Sequence, residues 1–181
     1  LRMARLSERD WLQHGLKTLK NSGYTGLKAD LMAKSLGVSR GSFYWHFKDL
    51  GAFQISLLDH WQKVTTEQVI EEIEQDQRAT RPLENLMNRA FLGASQARLD
   101  QAVRLWAQHH PLVARRLQTV DTMRMEYLAK LFKENGLSRT DASRAARFTY
   151  AASLGDAQIP SQAWPRLTTE DVMAMTKVLT R

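Results

Sequence analysis

The stretch Lys28-Ala-Asp-Leu-Met-Ala-Lys-Ser-Leu-Gly-Val-Ser-Arg-Gly-Ser-Phe-Tyr-Trp-His-Phe-Lys48 decides the fold of this 181-residue chain. Its spacing predicts two short helices joined by a tight turn. Gly37 supplies a residue that tolerates a left-handed backbone, which is how many helices end. Ser39 then offers a side chain of the type that caps the next helix. The apolar stripe of the first helix is expected at Leu31, Met32 and Leu36.

The second helix combines an apolar side with an unusually polar one. Phe43 and Phe47 lie four residues apart, so they share one face, which we expect to be buried. Tyr44, Trp45 and His46 occupy three consecutive positions. Successive side chains on a helix point in different directions, so these three cannot all face inward. The polar side therefore requires a partner, unless the aromatic residues are simply part of the core.

DNA is the partner that this polar side fits best. A helix in the major groove needs side chains that reach base edges, surrounded by groups that bind phosphates. We assign base reading to Arg40, with Tyr44 and Trp45 offering apolar contact to thymine methyls, and phosphate contacts to the hydroxyl, imidazole and ammonium groups around them. The predicted DNA-binding residues are Lys28, Ser39, Arg40, Ser42, Tyr44, Trp45, His46 and Lys48.

The charge distribution agrees with this assignment. The formal net charge is +7, and residues 1–50 carry nine Lys or Arg against four Asp or Glu. Residues 51–181 carry seventeen against fifteen. The positive excess therefore lies with the proposed DNA reader, as phosphate binding requires, although a solvated basic face has a similar composition.

The segment from Gly37 to Lys48 resembles the turn and recognition helix of the TetR family of transcriptional repressors, and its Tyr-Trp-His run is similar to the tetracycline-responsive members. The resemblance implies an all-α fold with a helix-turn-helix DNA-binding domain over residues 1–48 and a regulatory and dimerisation domain over residues 49–181. Two positions depart from the family pattern: Lys28 stands where Ser or Thr usually caps the first helix of the motif, and Leu50 stands where Lys is common.

The rest of the chain also reads as helical. Ser7 begins a capping-box signal for a first helix that Gly23 ends. Apolar spacing predicts a long helix from Phe53 through Ile73, followed by a break near residues 77–82, where Thr80 could cap and Pro82 suits a first turn. Further helices are expected after Pro82, before Gly136, after Ser138 and after Thr168.

Small residues dominate the inner positions of the helix after Ser138, and small side chains let helices approach closely. In the TetR family the last two helices of each subunit form a four-helix dimer interface, which is what the resemblance implies here. The alternative is that they pack only within their own chain. The predicted homodimer interface comprises Ala142, Ala145, Ala146, Thr149, Ala152 and Met175.

The middle helices carry the material for an effector pocket, namely aromatic residues and methionines with a few polar groups. The same residues describe an ordinary helical core, but the resemblance favours a pocket, because family members commonly hold a small-molecule effector between these helices. The effector is unidentified. The predicted effector-binding residues are Met87, Phe91, Trp106, His109, Met123 and Tyr127.

Several protein classes are disfavoured. The chain has no cysteine, which excludes disulfides and Cys-based zinc sites, and charged residues interrupt every apolar run before the ~20 residues that a membrane span needs. No catalytic or phosphate-binding motif occurs, so we expect no enzyme, no metal and no cofactor. We expect a cytoplasmic DNA-binding repressor released by an effector. Two alternatives stay open: a DNA-binding protein regulated by a protein partner or without ligand, and an enzyme with its active site in the body.

Overall fold

A computed structural model describes residues 6–76, 81–159, 162 and 165–180. These residues form α-helices and no strand, which confirms the predicted all-α fold. A 3₁₀ turn, Tyr24–Gly26, follows the first helix, and a π-helical turn, Lys63–Glu67, joins the fourth helix to the fifth. The helices are α1 Glu8–Ser22, α2 Ala29–Ser35, α3 Arg40–His46, α4 Leu50–Gln62, α5 Gln68–Gln75, α6 Pro82–Leu92, α7 Ala94–Ala107, α8 Pro111–Glu134, α9 Arg139–Asp156 and α10 Thr169–Leu179.

Local sequence signals set most of these boundaries. Ser7 caps α1 in a capping box with Asp10, and Thr168 forms the same box with Asp171 at the start of α10. The hydrogen bonds from Ser7 hold the pKa of the Asp10 carboxyl below its ordinary value, so this cap is complete at neutral pH and is lost on acidification. Pro82 lies in the first turn of α6, whereas the predicted cap Thr80 lies outside the described residues.

The chain divides into two compact units, the first comprising Leu1–Val64 with Leu99–Leu117 and the second Thr65–Arg98 with Gln118–Arg181. The first unit contains the motif and extends beyond the predicted boundary at residue 48. Within this unit, the Trp61 indole Nε1 of α4 donates a buried hydrogen bond of 3.0 Å to Asp100 Oδ1 of α7. The functional boundary at residue 48 stays a prediction, since it concerns DNA binding rather than compactness.

The second unit has its own apolar core. Ile73 of α5, Phe132 of α8 and Val172 of α10 are buried in one cluster with residues of α6 and α9. The Tyr150 hydroxyl of α9 donates to Asp121 Oδ1 of α8 at 2.7 Å. Burial raises the pKa of Tyr150 to about 12, so the hydroxyl keeps its proton and remains a donor at physiological pH.

None of the described helices is both long and apolar enough to cross a membrane.

Replacing glycine with alanine should have opposite effects on the free energy of unfolding at two positions. A Cβ on Gly15 of α1 would lie 2.7 Å from Phe53 Cζ and 2.9 Å from Leu57 Cδ1, and both of these α4 side chains are fully buried. A Cβ on Gly155 of α9 would meet no atom within 4 Å. We expect Gly15→Ala to reduce the free energy of unfolding by about 1–2 kcal/mol, because overpacking outweighs the gain in helix propensity.

Gly155→Ala is the matched control, and it should raise the free energy of unfolding by up to about 1 kcal/mol. Urea denaturation followed by circular dichroism measures both values. If Gly15→Ala were as stable as the parent protein, the close contact of α1 with α4 would be wrong.

Candidate nucleic-acid interface

The inner side of α3 rests on aromatic rings. The Phe43 ring lies 5.4 Å from the Trp11 ring and 5.3 Å from the Phe53 ring, measured between centroids. Phe47 closes the cluster, with its ring 5.2 Å from Phe43 and 5.0 Å from Phe53. Trp11, Phe43 and Phe53 are fully buried. The predicted burial of Phe43 and Phe47 is therefore confirmed, and it fixes which side of α3 faces outward.

The outer side of α3 presents Arg40, Tyr44 and Trp45. Trp45 is 70% exposed and Tyr44 is 44% exposed, so these rings are not core residues. The Arg40 Nη2 donates to the Tyr44 hydroxyl at 3.0 Å, and the guanidinium carbon lies 5.3 Å from the centre of the Tyr44 ring. These contacts orient the guanidinium. The hydrogen bond to Tyr44 also raises the pKa of Arg40 above its ordinary value, so the side chain remains a cation.

His46 makes a contact within the chain that the sequence did not predict. Its Nε2 lies 2.8 Å from the carbonyl oxygen of Leu6. A carbonyl oxygen can only accept, so Nε2 carries the proton and donates it. The imidazole is half-buried and holds Leu6, two residues before α1, against the end of α3. The predicted phosphate contact from His46 would compete with this bond.

The turn residues follow the motif with two differences. Gly37 has a φ of 68°, as the predicted turn requires. Ser39 occupies the position before α3, but its side chain makes no capping hydrogen bond, so the predicted cap is wrong. Leu31, predicted in the apolar stripe, is 48% exposed, because α2 buries Ala29, Met32 and Ala33 instead.

The remaining predicted DNA-binding residues surround the outer side of α3. Lys28 precedes α2 without a side-chain capping bond, and Lys48 follows α3; both are exposed. Neither ammonium group forms an ion pair within the described part of the chain. Ser42 is half-buried on α3. Sequence reasoning missed Asp49, whose Oδ1 accepts from the Ala52 amide at 2.8 Å and caps α4, although an Asp ahead of an apolar helix signals this role.

The six predicted effector residues are divided between the two units, and their role in binding an effector stays a prediction. Trp106 and His109 belong to the first unit, where the Tyr24 ring stacks on Trp106 at 6.5 Å and lies 6.0 Å from His109. The other four belong to the second unit, where Met87 and Tyr127 are buried in the apolar core and Met123 is half-buried. Phe91 lines a cavity of about 250 Å³ in this unit, and Trp106 lines a cavity of about 180 Å³ in the first unit.

Four of the predicted dimer-interface residues are buried within their own chain. Ala142, Ala145, Ala146 and Thr149 lie on the inner side of α9 and are each at most 9% exposed. Side chains covered by their own chain offer little area to a partner. Contact of these four residues with a second copy stays a prediction. Ala152 is half-buried, and Met175 is 47% exposed.

The outer sides of the same two helices carry exposed apolar residues that the sequence analysis did not assign. Phe148 of α9 is 62% exposed, and Val178 of α10 is 60% exposed beside Met175. Exposing large apolar side chains to water costs free energy, and clusters of such side chains mark interaction surfaces. Helical spacing could have predicted the exposure of Phe148, because Phe148 lies on the side of α9 away from its buried small residues.

Within residues 6–76, 81–159, 162 and 165–180, no group of three or more His, Cys, Asp or Glu side chains could hold a metal ion.

Comparisons with known proteins identify solved structures that share this fold. No family model and no curated protein matches the sequence. Solved structures do match over nearly the whole chain, including Salmonella enterica GusR at 16% identity and a TM-score of 0.73, covering 96% of this chain and 93% of that one. A transcriptional regulator FadR from Bacillus subtilis, in complex with stearoyl-CoA, matches at 17% identity and a TM-score of 0.65, covering 96% of each chain.

A transcriptional regulator of the TetR/AcrR family from Thermobifida fusca YX-ER1 matches at 16% identity and a TM-score of 0.65, again covering 96% of each chain. The structure is thus that of an all-helical protein with an N-terminal helix-turn-helix. More specifically, the chain has the fold of TetR-family transcriptional regulators, as the motif at residues 37–48 predicted.

The contact between His46 and Leu6 gives a test in the free protein. His46→Ala removes the donor, so we expect the Ser7 amide at the start of α1 to exchange its hydrogen about 2- to 10-fold faster, the range that one hydrogen bond accounts for. Nuclear magnetic resonance measures this rate. Lys48→Ala, which removes an exposed neighbour, should leave it unchanged. Equal exchange in the parent protein and the His46 variant would contradict the anchoring role.

Proposed function

We propose that this chain is a TetR-type transcriptional regulator that binds a DNA operator as a homodimer and is released from it by a small-molecule effector. Repression, by exclusion of other proteins from the operator, is the mode that such binding supports. The observation that carries the proposal is the outer side of α3, with an oriented Arg40 cation and the exposed Tyr44 and Trp45 rings over a rigid aromatic base.

Each of these groups suits the major groove. Arg is the side chain that most often reads guanine, and a preoriented guanidinium loses less conformational entropy on binding. An exposed indole or phenol ring supplies the apolar contact that a thymine methyl group needs. Lys28 and Lys48, exposed and without an acidic partner among the described residues, supply phosphate contacts that fix the register of α3 on the duplex.

Dimerisation would set the form of the operator. Two copies of α3 related by a two-fold axis require a roughly palindromic site, with half-site centres about 34 Å, or a multiple, apart. The exposed apolar residues Phe148 on α9 and Met175 and Val178 on α10 support this part of the proposal, because pairing two copies through them removes apolar area from water.

Release by an effector would be a population shift. A ligand can release the protein from the operator only to the extent that it binds one conformation of the regulatory domain more tightly than the other. The cavity beside Phe91 supports an effector over the alternative of a regulator without ligand, because a body made only for dimerisation needs no such space. FadR, solved with stearoyl-CoA, is an example of this fold with a small molecule bound.

The most direct test selects bound sequences from random duplex DNA and repeats the binding with a panel of metabolites. We expect one palindromic motif to be enriched and at least one compound to weaken binding to it. Recovery of sequences without a common motif would refute the proposal.

Arg40 and Lys48 separate sequence reading from phosphate binding. We expect Arg40→Ala to cost about 1–3 kcal/mol in operator binding and to relax sequence preference at the base pair it reads. Lys48→Ala should weaken specific and non-specific DNA equally and reduce the slope of log affinity against log salt by about one. Fluorescence anisotropy with operator and scrambled duplexes at several salt concentrations measures both.

Lys133→Ala is the matched control, since it removes one exposed positive charge from α8 of the second unit and should change neither quantity. Equal, unselective losses from Arg40→Ala and Lys48→Ala would contradict the assigned roles.

The dimer is tested on the outer side of α9. Phe148→Asp places a charge on the exposed apolar face, so we expect the equilibrium to shift from dimer to monomer by at least about 100-fold, or roughly 3 kcal/mol. Sedimentation equilibrium measures the dissociation constant. Leu105→Asp is the control, because Leu105 is also an exposed apolar residue, at 53%, but belongs to the first unit. A dimer that persists unchanged in the Phe148 variant would rule out this interface.

A further inference from the structure

The size and the lining residues of the cavity in the second unit restrict the class of ligand that it can bind. Its volume is about 250 Å³, and it lies between the end of α6, the first turns of α7, the end of α9 and the segment before α10. Drug-sized ligands occupy sites of roughly 300–1,000 Å³, so this space suits a smaller molecule. Much of its lining consists of small side chains, which leave space between the helices. These are Ala90, Ala94, Ala97 and Ala157.

Two arginines give the cavity its charge. Arg98 of α7 and Arg166 of the segment before α10 both line it, and both are exposed. Neither guanidinium makes an ion pair or hydrogen bond with any described residue. Arg89 and Lys130 of the same unit, by contrast, are neutralised, Arg89 by Glu72 at 2.7 Å and Lys130 by Glu74 at 2.7 Å. The two cavity arginines therefore retain their full capacity to bind an anion.

One acidic group faces the same space. Asp156, at the end of α9, is half-buried, lines the cavity and has no side-chain partner among the described residues. It offsets one of the two positive charges, so the cavity keeps a net charge of +1. Phe91 adds a ring against which an apolar body can pack.

From this combination we propose that the cavity binds a small carboxylate with an apolar body, its carboxylate held by Arg98 and Arg166 and its body packed on Phe91. Arginine pairs with carboxylates through parallel N–H···O bonds, and such charge-assisted bonds are about twice as strong as neutral ones. As a binding site this stands on the cavity alone. As the effector site it rests on the proposed function.

The test uses benzoate and hexanoate as probes, with benzamide and hexanamide as neutral counterparts of the same shape. Isothermal titration calorimetry on the full chain without DNA should give a dissociation constant at least about 10-fold lower for each carboxylate than for its amide. This ratio is what one charge-assisted hydrogen bond accounts for. Equal affinity for acid and amide, or no binding of either acid, overturns the proposal.

Three variants test the named groups. Arg98→Gln with Arg166→Gln should remove the preference for the acid, and Ala97→Leu should fill the cavity and abolish binding of acid and amide together. Asp156→Asn should strengthen carboxylate binding, because it removes the opposing charge. Lys133→Gln removes a charge from outside the cavity and should leave binding unchanged. Unaltered affinity in the double arginine variant, with an unchanged melting temperature, overturns the proposal.

Failure of this inference and failure of the proposed function give different results. Carboxylate binding by a protein that selects no DNA motif leaves the site intact and refutes the regulator. A selected DNA motif with no carboxylate binding leaves the regulator intact and refutes the site. Release of the selected DNA by the carboxylates, lost in the double arginine variant, supports both.

Discussion

The packing of Phe43 between Trp11, Phe47 and Phe53 is the contact on which the exposed surface of α3 depends. Helix α3 has seven residues, whereas isolated helices shorter than roughly 12–15 residues are marginal in water. Its stability and orientation therefore come from the rings beneath it, contributed by α1 and α4. Since three consecutive residues cannot share one side of a helix, burying Phe43 directs Tyr44 and Trp45 outward. The core contact and the exposed surface are two consequences of one seven-residue pattern.

Features set by nearby residues could be predicted from the sequence. The spacing of Phe43 and Phe47 predicted their burial, and the capping boxes at Ser7 and Thr168 predicted helix starts, because each depends on chemistry within four residues. Gly37 was predictable for the same reason, since only the local backbone conformation demands it. The helix-turn-helix is built almost wholly from such short-range signals.

Features that depend on distant residues could not be predicted. Periodicity shows which residues of α9 share a face, but not what covers that face, so the alanines from Ala142 to Ala146 fitted a partner subunit as well as the chain's own core. His46 is similar, because its bond to Leu6 joins residues 40 positions apart. The stacking of Trp106 on Tyr24 likewise joins residues 82 positions apart, a contact that only tertiary structure reveals.

The π-helical turn Lys63–Glu67 depends on the same kind of long-range bonding. A π turn disrupts the regular hydrogen bonding of a helix, so its polar groups need other partners. Gln96 of α7 donates to the Thr65 carbonyl at 3.1 Å, and Arg124 of α8 donates to the hydroxyls of Thr65 and Thr66 at 3.0 and 2.9 Å. Thr65 and Thr66 are buried, where unpaired polar groups would cost free energy. Two side chains of the second unit, each on a different helix, therefore satisfy the polar groups of Thr65 and Thr66, which local sequence signals alone would leave without partners.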